Sequence, residues 1–152
     1  MIVGITGTTR GLTAAQRETL RQVLADLAIS ARPELHHGDC VGVDEQAATI
    51  AWRLGYWIVG HPADDPDGRA HSTCNLLLAP RDSAARNRDI VDVADLLIGC
   101  PGGEEEWPGS GTWYTINYAR TSGVPLLVVS PSGRILEDTR QPATPAPQEG
   151  TR

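Results

Sequence analysis

A glycine-rich segment in the second half of the chain carries the clearest chemical signal. An apolar run over 96–98 leads into a glycine-rich turn over 99–103. Glycines let the backbone approach a ligand closely, and the first N–H groups and the dipole of a helix favour an anion. A tight strand-to-helix turn without a ligand would look the same. We expect a phosphate group here, contacted by the residues that open the next predicted helix: Gly109, Ser110, Gly111 and Thr112.

Three further loops contain residues that could contact the same ligand. Each follows a predicted strand or opens a predicted helix. Their glycines do not have the Gly-x-Gly-x-x-Gly spacing, and no acidic residue closes the second strand, which disfavours a dinucleotide-dependent dehydrogenase. The guanidinium forks suit phosphate, while Asp44 could also be a plain helix N-cap. The candidate residues are Gly7, Thr8, Thr9 and Arg10, then Gly38, Asp39, Gly42 and Asp44, and finally Arg86 and Asn87.

Candidate catalytic groups are weaker than candidate ligand contacts. Glu104, Glu105 and Glu106 interrupt the glycine-rich segment, so either they face solvent or one acts as a base or binds a ribose hydroxyl. Glu106 and Asp39 are the carboxylates that could take part in catalysis. The histidines and cysteines match no tight metal-binding spacing, so no metal site is expected.

Composition narrows the class of protein. The chain has 152 residues, a net charge of −6 and a pI of about 5.1, which disfavours a nucleic-acid surface. No apolar run approaches the ~18 residues of a membrane helix. The beginning of the sequence lacks the basic region of a signal peptide. The three cysteines are widely spaced, which suits free thiols in a reducing compartment. We therefore expect a cytoplasmic protein without a membrane contact.

The order of the predicted elements indicates an α/β fold. Apolar runs predict strands over 2–6, 34–37, 56–60, 95–100 and 125–130, and periodic segments predict helices over 13–30, 44–54, 83–94 and 111–121. This alternation predicts a doubly wound sheet of about five parallel strands with helices on both faces. The carboxyl ends of the strands then bring the candidate loops together. The stretch 61–80 is expected to be a functional or disordered loop.

Taken together and in this order, the motifs resemble the SLOG superfamily of Rossmann-like domains. The resemblance covers roughly residues 2–130, and the stand-alone YspA-like domains of the DUF2493 type look most similar. The superfamily includes relatives of DNA-processing protein A and of the Lonely Guy cytokinin-activating enzymes. It implies a nucleotide-binding domain over 1–131, and the composition after Pro131 predicts a flexible C-terminal tail over 132–152.

The resemblance also implies what could be retained and what is changed. Lonely Guy enzymes are phosphoribohydrolases that cleave the N-glycosidic bond of nucleoside 5′-monophosphates, with the signature Pro-Gly-Gly-x-Gly-Thr-x-x-Glu. Its Gly-x-Gly-Thr part falls on 109–112 and the family's arginine falls on Arg86. Pro108 stands where the signature has its first glycine, and Thr115 stands where the glutamate would be. The phosphate-binding half is thus retained and the catalytic half is altered.

Three functions follow as hypotheses. The first is a sensor or carrier module for a nucleotide or nucleotide-derived phosphorylated ligand. The second is a phosphoribohydrolase, and the third is a DNA-handling protein like DNA-processing protein A. No cofactor is required, but a bound nucleotide or pterin phosphate is expected because a molybdenum-cofactor carrier is similar in fold. We also expect a homodimer or higher homo-oligomer, since related domains pair through helices. The four tryptophans, Trp52, Trp57, Trp107 and Trp113, carry more apolar surface than so small a core needs, so some could line an interface or stack on a base, and the alternative is plain core packing.

Overall fold

The computed structural model describes residues 1–29 and 32–140, and it contains one sheet of seven strands in the order β4-β3-β2-β1-β5-β6-β7. Strands β1 to β6 run parallel, and β7 is antiparallel to β6. The elements are β1 (Ile2–Gly7), α1 (Ala14–Leu27), β2 (Glu34–His37), α2 (Val43–Arg53), β3 (Trp57–Gly60), β4 (Leu76–Leu77), α3 (Ser83–Val93), β5 (Leu96–Cys100), α4 (Gly111–Ser122), β6 (Leu126–Val129) and β7 (Ile135–Asp138).

The helices cover both faces of the sheet, as the sequence predicts. Alternate side chains of a strand point to opposite faces, so the central strands β5 and β6 are buried on both sides and consist mainly of apolar residues. One core layer joins α1 and α2 to residues such as Ile5 and Ile98, and the other joins α3 and α4 to Leu97 and Val128. The predicted capping box of α1, formed by Thr13 and Gln16, is confirmed.

Two strands were not predicted from the sequence. Strand β4 lies inside the stretch 61–80 and pairs with the end of β3. Strand β7 lies inside the predicted tail and returns beside β6 through a turn at Gly133, whose φ is +82°. The expected boundary at residue 131 is therefore too early, because the chain remains in the sheet to Asp138. The remainder of the predicted tail, 141–152, and the predicted helix end at Ser30 lie outside the described residues.

The topology places a crevice beside the first strand. Strand β1 is central and pairs with β2 on one side and β5 on the other, so the direction of chain winding reverses there. In open α/β sheets, ligands bind at such a switch point, outside the carboxyl ends of the strands. In the described part of the chain, no helix is long and apolar enough to cross a membrane.

Candidate functional site

A cavity of about 730 Å³ opens at the carboxyl ends of β1 and β5. Its volume falls in the range of small-molecule sites. Four loops that are distant in sequence form its wall, because the parallel strands end at the same edge of the sheet. Eleven of the fourteen candidate ligand contacts line it: Gly7, Thr8, Thr9, Arg10, Asp44, Arg86, Asn87, Gly109, Ser110, Gly111 and Thr112.

The N-terminus of α4 forms part of the cavity wall. Ser110 caps the helix, its side chain accepting the Trp113 N–H at 3.4 Å. Within the described residues, the backbone N–H groups of Gly111 and Thr112 have no protein acceptor. The Thr112 hydroxyl likewise has no partner there, although only 8% of the residue is exposed. The cavity therefore has three unused donors at a helix N-terminus.

The loop after β1 places a positive charge at the same cavity. Its fold is fixed locally, because the Thr8 N–H donates to the Cys100 carbonyl at 3.2 Å and the Thr8 hydroxyl accepts the Arg10 N–H at 3.2 Å. The exposed Arg10 guanidinium reaches across to the Gly102 carbonyl at 3.3 Å. Arg10 thus joins two cavity loops while most of its guanidinium N–H groups stay available to an anion.

Arg86 lines the cavity but is mostly engaged with the protein. The side chain is buried, and its Nη1 donates to the carbonyls of Gly38 and His61, the latter at 2.9 Å. Its Nε donates to the Asn87 side-chain oxygen at 2.8 Å. These bonds tie α3 to the loop after β2 and to the end of β3. Arg86 therefore holds the cavity wall together, whatever it contributes to a ligand.

Asp44 is a buried carboxylate in the first turn of α2 rather than an N-cap. The N-cap is Gly42, and Asp44 Oδ2 accepts the N–H groups of Gly38 at 2.9 Å and Cys40 at 3.3 Å. Burial raises the pKa of Asp44 to about 6, against the opposing effects of the Arg86 charge and the two N–H donors. Asp44 therefore holds the backbone of the loop after β2 through these two hydrogen bonds.

Three candidate residues do not line the cavity, namely Gly38, Asp39 and Gly42. The Asp39 backbone is left-handed, with φ +54°, and its carboxylate turns to Arg69 Nε at 3.0 Å and the Ser72 N–H at 2.8 Å. Burial alone would raise the pKa of Asp39, but these hydrogen bonds lower it overall. Asp39 thus fastens the stretch 61–80 to the sheet, which corrects its expected place in the site.

The two glycines are required by close packing. A Cβ on Gly38 would lie 2.6 Å from Arg86 Nη1. Gly42 has φ +94°, and a Cβ there would lie 2.5 Å from the Thr9 carbonyl oxygen. At both positions, the loop after β2 therefore packs closely against other parts of the chain, Arg86 in one case and Thr9 in the other. The sequence interpretation predicted that both glycines would contact the ligand, but neither of them lines the cavity.

Of the three consecutive glutamates 104–106, only Glu105 lines the cavity. Glu106, a predicted catalytic candidate, is not in the cavity wall and pairs with Arg120 at 2.8 Å. Glu105, one of the three glutamates expected either to face solvent or to act as a base or ribose ligand, lines the cavity, as do Trp107 and Trp113, which are outside the fourteen predicted contacts. Their position in and beside the glycine-rich segment was the available signal for them.

Among the described residues, no group of three or more His, Cys, Asp or Glu side chains could hold a metal ion. His36 Nδ1 lies 2.8 Å from His61 Nε2, and burial lowers the pKa of His37 and of His61 to about 4. His37 Nδ1 accepts the Asp39 N–H, so the neutral ring directs its other N–H at Cys74 Sγ, 3.6 Å away. In that tautomer, His37 cannot take the proton of the Cys74 thiol. The three cysteines are free.

Comparisons with solved structures identify the fold. No protein-family model matches the sequence, and no curated protein matches it. The molybdenum cofactor binding protein from Rippkaea orientalis is 21% identical with a TM-score of 0.64, over 85% of this chain and 76% of that one. The Moco carrier protein from Chlamydomonas reinhardtii is 20% identical with a TM-score of 0.62, over 84% and 74%.

A third similar structure is DNA processing protein A from Helicobacter pylori. It is 20% identical with a TM-score of 0.62, over 84% of this chain and 64% of that one. At these identities, the three likenesses establish a shared Rossmann-like α/β fold. They agree with the doubly wound architecture described above.

Proposed function

We propose that the protein binds a nucleotide or nucleotide-derived phosphorylated molecule in this cavity and acts as a sensor or carrier module. The observation that carries the proposal is Thr112, which lines the cavity and whose hydroxyl has no partner among the described residues. A phosphate oxygen at the N-terminus of α4 would satisfy it together with the N–H groups of Gly111 and Thr112.

The charges around the cavity support an anion despite the net charge of the chain. Arg10 and Arg86 both line the wall, and the helix dipole adds partial positive charge. Asp44 also lines the wall, and its negative charge opposes an anion. Burial raises its pKa to about 6, so this opposing charge is lost on mild acidification. The two arginines thus lie at the cavity itself, where they support binding of an anion in spite of the net charge.

The similar structures indicate which ligands belong in the class. Two of them are described as molybdenum cofactor binding and carrier proteins. We therefore include pterin phosphates, together with nucleotides, among the proposed ligands. We also propose that the chain is a member of the SLOG superfamily, with a single ligand-binding domain that continues beyond residue 131 to include β7.

A phosphoribohydrolase is the second candidate function, and one observation favours it. Glu105 lines the cavity, so a carboxylate could approach the sugar of a bound nucleotide. Thr115 cannot replace the signature glutamate, because its buried hydroxyl donates to the Gly111 carbonyl at 2.9 Å within the helix. Release of free base from nucleoside monophosphates by the wild type, but not by Glu105→Gln, would support this function.

DNA handling is less well supported. One similar structure is a DNA processing protein, but the net charge of −6 opposes attraction to the phosphate backbone. Binding of single-stranded DNA that weakens steeply with added salt would favour this function instead.

Calorimetric titration with matched ligands tests the leading proposal. We expect nucleoside 5′-monophosphates to bind at least about tenfold more tightly than the corresponding nucleosides, because hydrogen bonds to a charged group contribute about 1.5–3 kcal/mol each. Equal affinity for a nucleoside and its monophosphate would contradict a phosphate site. Absence of binding by every common nucleotide and pterin phosphate would contradict the proposed function as a whole.

A further inference from the structure

One side chain of the cavity wall is unusual for a tryptophan. Trp107 lines the cavity and is 72% exposed, more than any of the other three tryptophans. Within the described residues, no aromatic ring and no cation packs over its indole. Trp113, the other cavity tryptophan, is buried in the core beneath the Arg120 guanidinium, 5.8 Å from the ring centroid. The two tryptophans therefore have different roles.

The backbone of Trp107 is held by a tight turn. The Trp107 carbonyl accepts the Ser110 N–H at 3.2 Å. Pro108 and Gly109 form the centre of this turn, and Gly109 has φ +103°. Proline followed by a residue of positive φ is the pattern of a type II turn, whose ends lie within about 7 Å of each other. Because Ser110 is the N-cap of α4, the turn keeps Trp107 next to the unused donors of the helix.

The loop that carries Trp107 is also anchored on both sides. Arg10 Nη2 donates to the Gly102 carbonyl at 3.3 Å, and the Ser132 N–H donates to Glu104 Oε1 at 3.1 Å. Glu106 pairs with Arg120 at 2.8 Å. These contacts hold the chain before Trp107 against the body of the protein. The indole is thus an exposed flat surface on a positioned loop, beside the proposed phosphate site.

We infer that Trp107 is a specificity-determining residue that stacks on a planar heterocyclic ring of the bound phosphorylated ligand. This inference rests on the proposed function. A flat apolar ring exposed to water gains stability when another flat ring covers it, and stacking on an aromatic side chain tolerates different bases. The phosphate at α4 would fix one end of the ligand, and Trp107 would select ligands whose other end is a planar ring.

Binding of two ligands that differ only in the ring tests the inference. Adenosine 5′-monophosphate and ribose 5-phosphate share the phosphate and the sugar. For the wild type, we expect the nucleotide to bind about tenfold more tightly than the sugar phosphate. In Trp107→Ala this preference should be lost, with affinity for ribose 5-phosphate unchanged. Trp107→Phe should retain part of the preference, because it keeps a flat ring.

Trp52 supplies the matched control. It is 52% exposed and lies on α2 in a separate groove, outside the cavity. Trp52→Ala should leave both affinities unchanged. Tryptophan fluorescence gives a second readout: adenosine 5′-monophosphate should quench the emission of the wild type and of Trp52→Ala, whereas Trp107→Phe should lose most of the quenching.

The outcomes separate the inference from the proposed function. If the wild type binds both ligands equally, or if Trp107→Ala keeps the preference for the nucleotide, the stacking role is overturned while the phosphate site stands. If neither ligand binds, the stacking role is overturned, and the phosphate site is overturned as well if no other common nucleotide or pterin phosphate binds. If Trp107→Ala changes only the oligomeric state in sedimentation, the indole belongs to an interface between copies and the inference is wrong.

Discussion

Two glycine-containing loops at the same edge of the sheet have opposite character. In the loop after β2, a Cβ on Gly38 or Gly42 would overlap neighbouring atoms, and the Asp39 carboxylate is fully engaged by Arg69 and Ser72. At the N-terminus of α4, a Cβ on Gly109 or Gly111 would meet nothing within 4 Å. The first loop is closed by the protein itself, whereas the second is open to a ligand.

The difference shows that glycine content alone does not identify a binding loop. Glycine permits close approach, but the approaching group can be a ligand or another part of the chain. What distinguishes the two loops is whether their donors already have acceptors. In the described chain, the Gly38 and Cys40 N–H groups donate to Asp44, whereas those of Gly111 and Thr112 have no acceptor.

Adding one methyl group to each loop should give the largest contrast. We expect Gly42→Ala to lower the free energy of unfolding by about 4 kcal/mol or more, because it combines a strained backbone at φ +94° with overlap on the Thr9 carbonyl. Gly111→Ala, in the first turn of α4, should change it by less than about 0.5 kcal/mol. Urea unfolding of both variants measures this, and equal losses would remove the distinction between the loops.

Substitution of Arg86 tests whether the loop after β2 depends on the hydrogen bonds of this buried side chain. Arg86→Met leaves the Gly38 and His61 carbonyls without their donor and Asp44 without a neighbouring cation, so we expect a loss of about 3–4 kcal/mol in unfolding free energy. Arg88 is the control on the same helix, since its guanidinium bonds the Tyr114 hydroxyl at the surface. If Arg86→Met costs no more than Arg88→Met, Arg86 is free to serve a ligand instead.

The buried carboxylate of Asp44 should make the stability of the protein depend on pH. Burial raises its pKa from 3.8 to about 6, so the folded state binds a proton more tightly than the unfolded state between these values. Its contribution to stability therefore falls as the pH rises from about 4 to about 6, by about 3 kcal/mol in total. His37 and His61, with pKa lowered to about 4, act in the opposite direction over about pH 4 to 6.5.

The comparison of Asp44→Asn with the wild type isolates the carboxylate. The amide oxygen can still accept the Gly38 and Cys40 N–H groups, and the histidines are unchanged. We expect the stability of the variant relative to the wild type to increase between pH 4 and pH 6, as measured by urea unfolding across the series. A difference that is constant with pH would show that Asp44 does not titrate in this range.

The main features of the fold could be predicted because they depend on local patterns. Apolar runs marked the five buried strands, and the Thr13–Gln16 capping box marked the start of α1. Strand β4 has only two residues, both exposed, and exists because β3 presents an edge to pair with. Strand β7 depends in the same way on β6 and on the turn at Gly133. Such pairings are tertiary and leave little trace in a short window of sequence.

The residues of the site could be predicted where the position of the backbone alone brings them to the cavity. Residues that follow strands or open helices had to meet at one edge of the sheet, and eleven of the fourteen candidates do line the cavity. Side-chain direction was not predictable for Asp39, because its left-handed backbone and its partners Arg69 and Ser72 come from a segment about thirty residues away. The sequence could not single out Glu105 among the three glutamates or Trp107 among the four tryptophans, because the path of their loop depends on Arg10, Arg120 and Ser132.

The most direct test of the open loop is the affinity of Thr112→Val for adenosine 5′-monophosphate. Valine keeps the shape of threonine and removes the unpartnered hydroxyl, so we expect affinity to fall about tenfold or more with little change in stability. Thr115→Val is the matched control, since its hydroxyl bonds the Gly111 carbonyl inside the helix. A loss for Thr112→Val alone agrees with phosphate at the N-terminus of α4, and wild-type affinity in Thr112→Val would contradict it.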